Sequence, residues 1–314
     1  MSLAISEDVK FDCEKKQLSY GIPADVNEYN NPIDKGYATN SAGVNLRIEP
    51  VNRYAIVRKD NGDLLGIHSG EYIVRPYYEL AEKVNKVVEE CIDVDKYKIT
   101  TKDQVLDGGK KYRRDINFWD DSIDMSNFKS NGMHIEGADE KIIPQLRIYS
   151  SLDGRWGQQI MWSSVYVVCL NGMVRPDWTF VVYNKHNKRE DITFAISDFK
   201  SGVQAHQELG EDLFKMMQKQ VKLSDVKHLF KKTLANKYTK LDIDDTSENI
   251  MEDLNELWTR YVARYKCTLF AVYQTATDWA SHPDTRGAIH NVSRKREKEV
   301  AKMMNSPEWL GLAA

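Results

Sequence analysis

The apolar pattern changes period once along this chain. From Arg53 to about Tyr183, short β-favouring runs alternate with tight-turn signals. After Ile192, apolar residues recur at helical spacing to the end. Strands grouped first and helices grouped later predict an α+β fold. The expected architecture is an N-terminal and central antiparallel β-sheet with one helix, followed by a helical C-terminal half.

The elements follow from local chemistry. Residues 54–57 and 64–67 flank Asn61-Gly62, a pair that tolerates the positive φ of a tight hairpin. Residues 71–74 read as a further strand. Pro76 suits the first position of a helix, where its missing N–H has no partner to lose. Leu80, Val84, Val87, Val88 and Cys91 carry that helix over 76–91. A second hairpin over 96–118 turns at Asp107-Gly108-Gly109, and the polar stretch 119–137 reads as a loop. Strands at 146–150 and 159–170 are joined at Asp153-Gly154, and 178–183 gives another.

In the second half, Leu209, Leu213, Met216, Met217 and Val221 share one helical face. Ser224 is placed to cap a helix carrying Val226, Leu229, Phe230 and Leu234. Asp245 and Glu248 have capping-box spacing ahead of Ile250, Leu254, Leu257, Trp258, Tyr261 and Tyr265. Residues 268–281 and 289–305 read as two further helices, the first ended by His282-Pro283. Residues 1–50 show weak periodicity and read as a loosely structured lead, with some order but no core of its own. Residues 51–314 read as a single composite domain, with a sub-boundary near 190–207 as the alternative.

Composition excludes several function classes. No run approaches the roughly 18 apolar residues of a membrane span, and Met1 to Lys16 lacks the apolar core of a signal peptide. The four cysteines (Cys13, Cys91, Cys169, Cys267) are widely spaced, which fits reduced thiols and a cytoplasmic location. There is no phosphate-binding Gly-Lys-Ser/Thr loop, no G-x-G-x-x-G after a strand, no His-Glu-x-x-His and no G-x-S-x-G elbow. No catalytic residue, metal or cofactor is therefore expected. Asp242, Asp244 and Asp245 open an acidic run that could hold Mg²⁺ for phosphodiester cleavage. At the start of a helix they read first as dipole-compensating acids. His186 sits in a basic loop that reads first as solvated, with a phosphate contact or a general base as its functional alternative.

Charge placement says more than the total. With 44 Lys and Arg against 47 Asp and Glu, the formal net charge is −3. Yet residues 215–240 hold eight lysines against Asp225 alone, and residues 242–256 hold seven acids and no base. Lys215, Lys219, Lys222, Lys227, Lys231 and Lys232 recur near helical spacing. Arg294, Lys295 and Arg296 form a second cluster, Lys110-Lys111 with Arg113-Arg114 a third, and Lys185, Lys188 and Arg189 a fourth. Two clusters on one face would make a footprint for a phosphate backbone. Trp156, Trp162, Tyr166 and Trp178 could stack on bases if exposed, although large aromatics usually anchor cores.

Four segments in order make a wider pattern: Leu65-Gly-Ile-His-Ser-Gly-Glu-Tyr-Ile-Val74; Ile148-Tyr-Ser-Ser-Leu-Asp-Gly154 with Val167-Val-Cys-Leu-Asn-Gly-Met173; Asn184-Lys-His186; and Tyr273-Gln-Thr-Ala-Thr-Asp-Trp-Ala-Ser-His282. Together they resemble the phage/plasmid-like protein family known as domain of unknown function 932, from about Arg53 to Leu310. The matching motif residues are Ser150, Asp153, Gly154, Cys169, Asn171, Gly172 and His186. The arginine common before the cysteine is missing in Tyr166-Val-Val-Cys169, so any contact assigned to it does not carry over. The resemblance implies a phage, plasmid or prophage origin and a DNA-metabolism accessory role, without a settled activity. The expected partner is DNA, single-stranded in preference, bound without catalysis by a homo-oligomer. The alternative is a phage assembly protein that docks a phage or host protein through Trp258, Tyr261 and Tyr265. A nuclease built on the acidic run comes last.

Overall fold

Two antiparallel sheets form where the β-favouring runs lie, as a computed structural model shows for residues 3–23, 37–39, 45–124, 141–166, 171–173, 181–184, 186, 193–236, 247–283 and 289–314. Among these described residues there are eleven strands and seven α-helices, the strands first and the helices mostly later. The first sheet contains β1 (Cys13–Pro23), β2 (Tyr37–Thr39), β3 (Asn45–Arg58) and β4 (Leu64–His68). β3 pairs with the other three. The β3–β4 hairpin turns at Gly62 (φ 79°), and Asn61 Oδ1 accepts from the Asp63 amide at 3.0 Å.

The second sheet has the order β10-β9-β8-β6-β5, with β11 against β9 and β7 against β8. Its strands are β5 (Ile99–Leu106), β6 (Lys111–Phe118), β7 (Ile123–Asp124), β8 (Lys141–Ser151), β9 (Gln158–Tyr166), β10 (Asn171–Met173) and β11 (Val181–Asn184). Asp107, Gly108 and Gly109 all take positive φ at the β5–β6 turn. Gly154 (φ 75°) makes the β8–β9 turn.

Helix α1 (Tyr77–Cys91) packs its apolar stripe on the second sheet. Tyr77, Leu80, Ala81, Val84 and Val88 share a core with Ile116, Phe118, Leu146, Ile148 and Ile160. The second core belongs to the helical half. It gathers α2 (Ile196–Gln218), α3 (Leu223–Phe230), α4 (Ser247–Tyr265), α5 (Leu269–Ser281), α6 (Ile289–Met304) and α7 (Pro307–Ala313). Every residue of α5 from Leu269 to Ala280 is buried, as expected of a helix enclosed on all sides. Its buried Thr275 and Thr277 hydroxyls donate to the carbonyls of Ala271 (2.8 Å) and Tyr273 (3.1 Å). Thr268 caps α5 and Ser306 caps α7, each accepting from a backbone amide one turn on. Helix α2 occupies much of 190–207 and runs between the cores: Phe199 lies in the first, and Leu209, Leu213 and Met217 in the second.

Several expectations are corrected. The N-terminal lead is more ordered than expected, with an eleven-residue strand registered on β3 from Cys13↔Arg58 to Pro23↔Leu46. Leu3, Val9 and Phe11 are core residues. Cross-strand pairing and a few anchors order this segment, and neither gives a strong periodicity. Residues 71–74 are not a strand, because Tyr72 turns inward to stack between two histidines. Pro76 is the N-cap of α1, one place earlier than expected. Lys222, not Ser224, precedes α3, and the Ser224 hydroxyl donates to Asp225 instead. Asp245 lies outside the described residues. Trp258, Tyr261 and Tyr265 are 6%, 2% and 0% exposed in the second core, so they offer no docking face to a partner.

Candidate functional site

The basic clusters separate once their surroundings are known. Lys111 is 1% exposed and is held by Asp107, with Asp153 at 3.9 Å. Arg114 is fully buried against Asp103 (2.6 Å) and the Leu3 carbonyl (3.0 Å). Arg113 grips Asp115 at 2.7 Å. Three of the four residues of this third cluster are thus internal wiring, and Lys110 alone of them is exposed. Arg296 is 3% exposed; it donates to the Trp279 carbonyl at 3.0 Å and its guanidinium lies 4.4 Å over the Trp279 ring. It cannot serve as a surface phosphate contact, because that role needs a solvated guanidinium. Lys295 is exposed. The Arg294 side chain, Lys185, Lys188 and Arg189 lie outside what is described.

The lysines around α3 have a different fate. The apolar side of α3 (Val226, Leu229, Phe230) faces the core, which turns the intervening residues outward. Lys222, Lys227 and Lys231 are exposed and Lys219 is half-buried. None of these four has an ion-pair partner among the described residues. Lys231 opens a one-turn π-helix, Lys231–Ala235, which stands one turn beyond Lys227. Lys232 is neutralised by Glu308, whose carboxyl it holds below the usual range. Lys215 pairs with Asp212 at 3.5 Å.

The motif segments converge elsewhere. His68 at the end of β4, Tyr72 in the following bend, Gly154, Trp156 and Gly157 around the β8–β9 turn, and Tyr183 and His186 at the end of β11 line one cavity of about 300 Å³. His68 stacks on Tyr72 at 3.7 Å, and Tyr72 stacks on His186 at 5.0 Å. The Tyr72 hydroxyl donates to the Ser151 carbonyl at 3.0 Å, and the Ile73 amide donates to the His186 carbonyl at 2.7 Å. His68 Nε2 lies 2.7 Å from the Leu152 carbonyl. A carbonyl only accepts, so Nε2 is the donor in this bond.

Two glycines make room for this column. A Cβ on Gly66 would stand 2.5 Å from the Leu152 carbonyl oxygen and 2.7 Å from His68 Nε2. One on Gly154 would stand 2.7 Å from His68 Cε1, at a backbone angle that already favours glycine. Asp153 accepts from the Arg155 amide at 2.9 Å, fixing the turn. Ser150 is fully buried, and its hydroxyl has no hydrogen-bond partner among the described residues.

His186 differs from the loop residue expected from its basic neighbours. It is 5% exposed, and neither ring nitrogen has a hydrogen-bond partner among the described residues. Burial, reinforced by the positive charge of Arg75, pushes its pKa down to about 4. The imidazole is therefore neutral at pH 7. Of the other motif residues, Asn171 and Gly172 pair in β10 with Tyr166 and Val165, and Cys169 lies outside the described residues. His68, Tyr72 and Tyr183 were not singled out as site residues by spacing, and only the unusual segment 65–74 hinted at the first two; Trp156, a stacking candidate if exposed, is only 4% exposed.

The last motif builds a separate cluster. Asp278 on α5 accepts from the Tyr261 hydroxyl at 2.8 Å and from His282 Nδ1 at 2.8 Å, with Arg260 at 3.6 Å. These bonds fasten α4 to the end of α5 and raise the His282 pKa. Among the described residues, no group of three His, Cys, Asp or Glu side chains is placed to hold a metal. Asp242, Asp244 and Asp245 lie outside them. No described helix is long and apolar enough to cross a membrane. Burial raises the Cys13 thiol to about 11, which keeps it protonated and inert at neutral pH.

A family model described as Domain of unknown function (DUF932) matches residues 64–306, from β4 through the N-cap of α7. No curated protein matches the chain, and no solved structure does.

Proposed function

The chain belongs to the domain of unknown function (DUF932) family, and on that footing we propose that it binds single-stranded DNA without catalysis, as an accessory protein of DNA metabolism. One observation carries the reading. Lys219, Lys222, Lys227 and Lys231 follow one another along the end of α2, α3 and the π-turn, and none has an ion-pair partner among the described residues. The Lys111/Arg113/Arg114 cluster, by contrast, is consumed by internal carboxylates. Cations at such spacing, without an ion-pair partner among the described residues, favour a polyanion, whose condensed counterions are released on binding. The phage or plasmid setting, the host-cell cytoplasm and self-association along a strand belong to the same proposal.

Fluorescence anisotropy with labelled single-stranded and duplex DNA of one length tests it. The reading expects binding at low salt, tighter for the single strand, and weakened steeply by added salt. No binding at low salt, or an affinity indifferent to salt, overturns it.

A further inference from the structure

We propose that the cavity between β4, the β8–β9 turn and the end of β11 binds a nucleobase-type nitrogen heterocycle, stacked on its aromatic wall and hydrogen-bonded through His186.

The wall supplies the stacking. His68, Tyr72 and His186 form a continuous column with near-parallel rings, 10° and 18° between successive planes. Trp156, 4% exposed, and Tyr183, 50% exposed, complete the lining. Tyr183 is the residue a ligand meets from solvent. At about 300 Å³, the cavity lies at the small end of ligand sites, which run from roughly 300 to 1,000 Å³. One ring system fits this size class better than a long chain or a whole cofactor.

His186 supplies the polar recognition. It is more than nine-tenths buried, lines the cavity, and has both ring nitrogens without a partner among the described residues. A buried donor or acceptor left without a partner is costly, and a ligand that supplies the partner recovers that cost. Being neutral, the ring offers one donor and one acceptor. That pair complements the mixed donor–acceptor edge of a nucleobase and not an edge of one kind.

Other ligand classes fit less well. Among the described residues the lining is His, Tyr, Trp and Gly, with no carboxylate or ammonium. Arg75 acts on His186 as a positive charge, which disfavours a cation. His68 uses Nε2 on Leu152, and no third ligating side chain is grouped there among the described residues, which disfavours a metal. Gly66 and Gly154 are required for the column to form, so the cavity is a built feature of the segments that carry the family motif.

This inference goes beyond the single-strand reading and does not rest on it. Nucleosides carry no phosphate, so the two ideas fail separately. The experiment is calorimetric titration of the full chain with adenosine, guanosine, cytidine and thymidine, alongside a short single strand and its abasic counterpart. Two variants accompany it: Tyr183→Ala, at an exposed position, and His186→Phe, which keeps a ring on Tyr72 but removes both nitrogens. Saturable binding of at least one nucleoside identifies a free heterocycle as the ligand. Binding of the strand but not of its abasic counterpart identifies a base within the strand. In either case, each variant should weaken binding by about ten-fold or more, the worth of one lost base contact. Thermal unfolding of His186→Phe should occur no lower than in the parent, which separates lost recognition from lost folding. Absence of binding in both arms, or binding unaffected by both substitutions, overturns the proposal.

Discussion

Acidification should unload His186 from its neutral state, and the cost can be worked from its surroundings. The ring is 5% exposed, and its pKa is pushed from the ordinary 6.5 down to about 4, by burial first and by Arg75 second. In the unfolded chain the same imidazole takes up a proton near pH 6.5. Between pH 6.5 and about 4 the unfolded state therefore binds more protons, and stability rises with pH. The contribution is complete above pH 6.5 and disappears as pH falls to about 4. The gap corresponds to roughly 3 kcal/mol. Other groups titrate in this window, so a difference measurement is needed. Urea unfolding of the parent and of His186→Phe from pH 7.5 to 4 supplies it, since phenylalanine does not titrate. The parent should lose roughly 3 kcal/mol relative to the variant across that interval. Parallel pH profiles would refute the claim that His186 is buried and neutral in the fold.

Two other perturbations test the packing and the Asp278 cluster. A Cβ on Gly202 would lie 1.9 Å from Trp162 Nε1, inside the ring cluster that Trp162 forms with Phe118 and Phe199. Overpacking there should cost about 1–3 kcal/mol or more, exceeding the ~1 kcal/mol that alanine gains over glycine in a helix. Gly202→Ala should thus lower the urea midpoint. Gly311→Ala, with nothing within 4 Å, should leave the midpoint unchanged or raise it. For His282, NMR titration should give a pKa above 6.5, because Asp278 bonds to and attracts the protonated ring. Its stabilising contribution is full below about pH 6.5 and fades as pH rises through the raised value. Asp278→Asn should return the ring toward its ordinary titration, and an unchanged pKa would contradict the pairing.

The fold was largely legible because period and turn chemistry are local. Asn61-Gly62, Asp107-Gly108-Gly109 and Asp153-Gly154 all mark real turns. The helical stripes from Leu209 onward bury as their spacing implies. The order of residues 13–23 was not legible, because a strand full of Lys, Glu and Gln owes its state to its partner β3. Tyr72 looked like a strand residue for the same reason: β propensity cannot register a long-range stack with His68 and His186.

The site was legible only in part. Charge spacing picked out the lysines around α3 as candidates, and the exposure of Lys222, Lys227 and Lys231 follows from the opposite face being apolar. It could not tell them from Lys111, Arg114 or Arg296, because burial of a cation depends on carboxylates and rings brought in by the fold. Asp103 and Trp279 are such partners, at sequence distances of 11 and 17 residues. The motif segments pointed to the cavity without revealing that His68, Tyr72, Trp156 and Tyr183 share it. That juxtaposition exists only once β4, β9 and β11 are in place.

The central claim is that the lysines of α2, α3 and the π-turn contact a phosphate backbone. The salt dependence of single-strand affinity, measured for the parent and for the chain with Lys219, Lys222, Lys227 and Lys231 changed to Gln, tests it most directly. Each phosphate contact contributes about −0.7 to the slope of log affinity against log salt. Loss of all four should flatten the slope by about 3 and weaken binding at low salt. A variant with the parent's slope and affinity would place the DNA elsewhere and contradict the account.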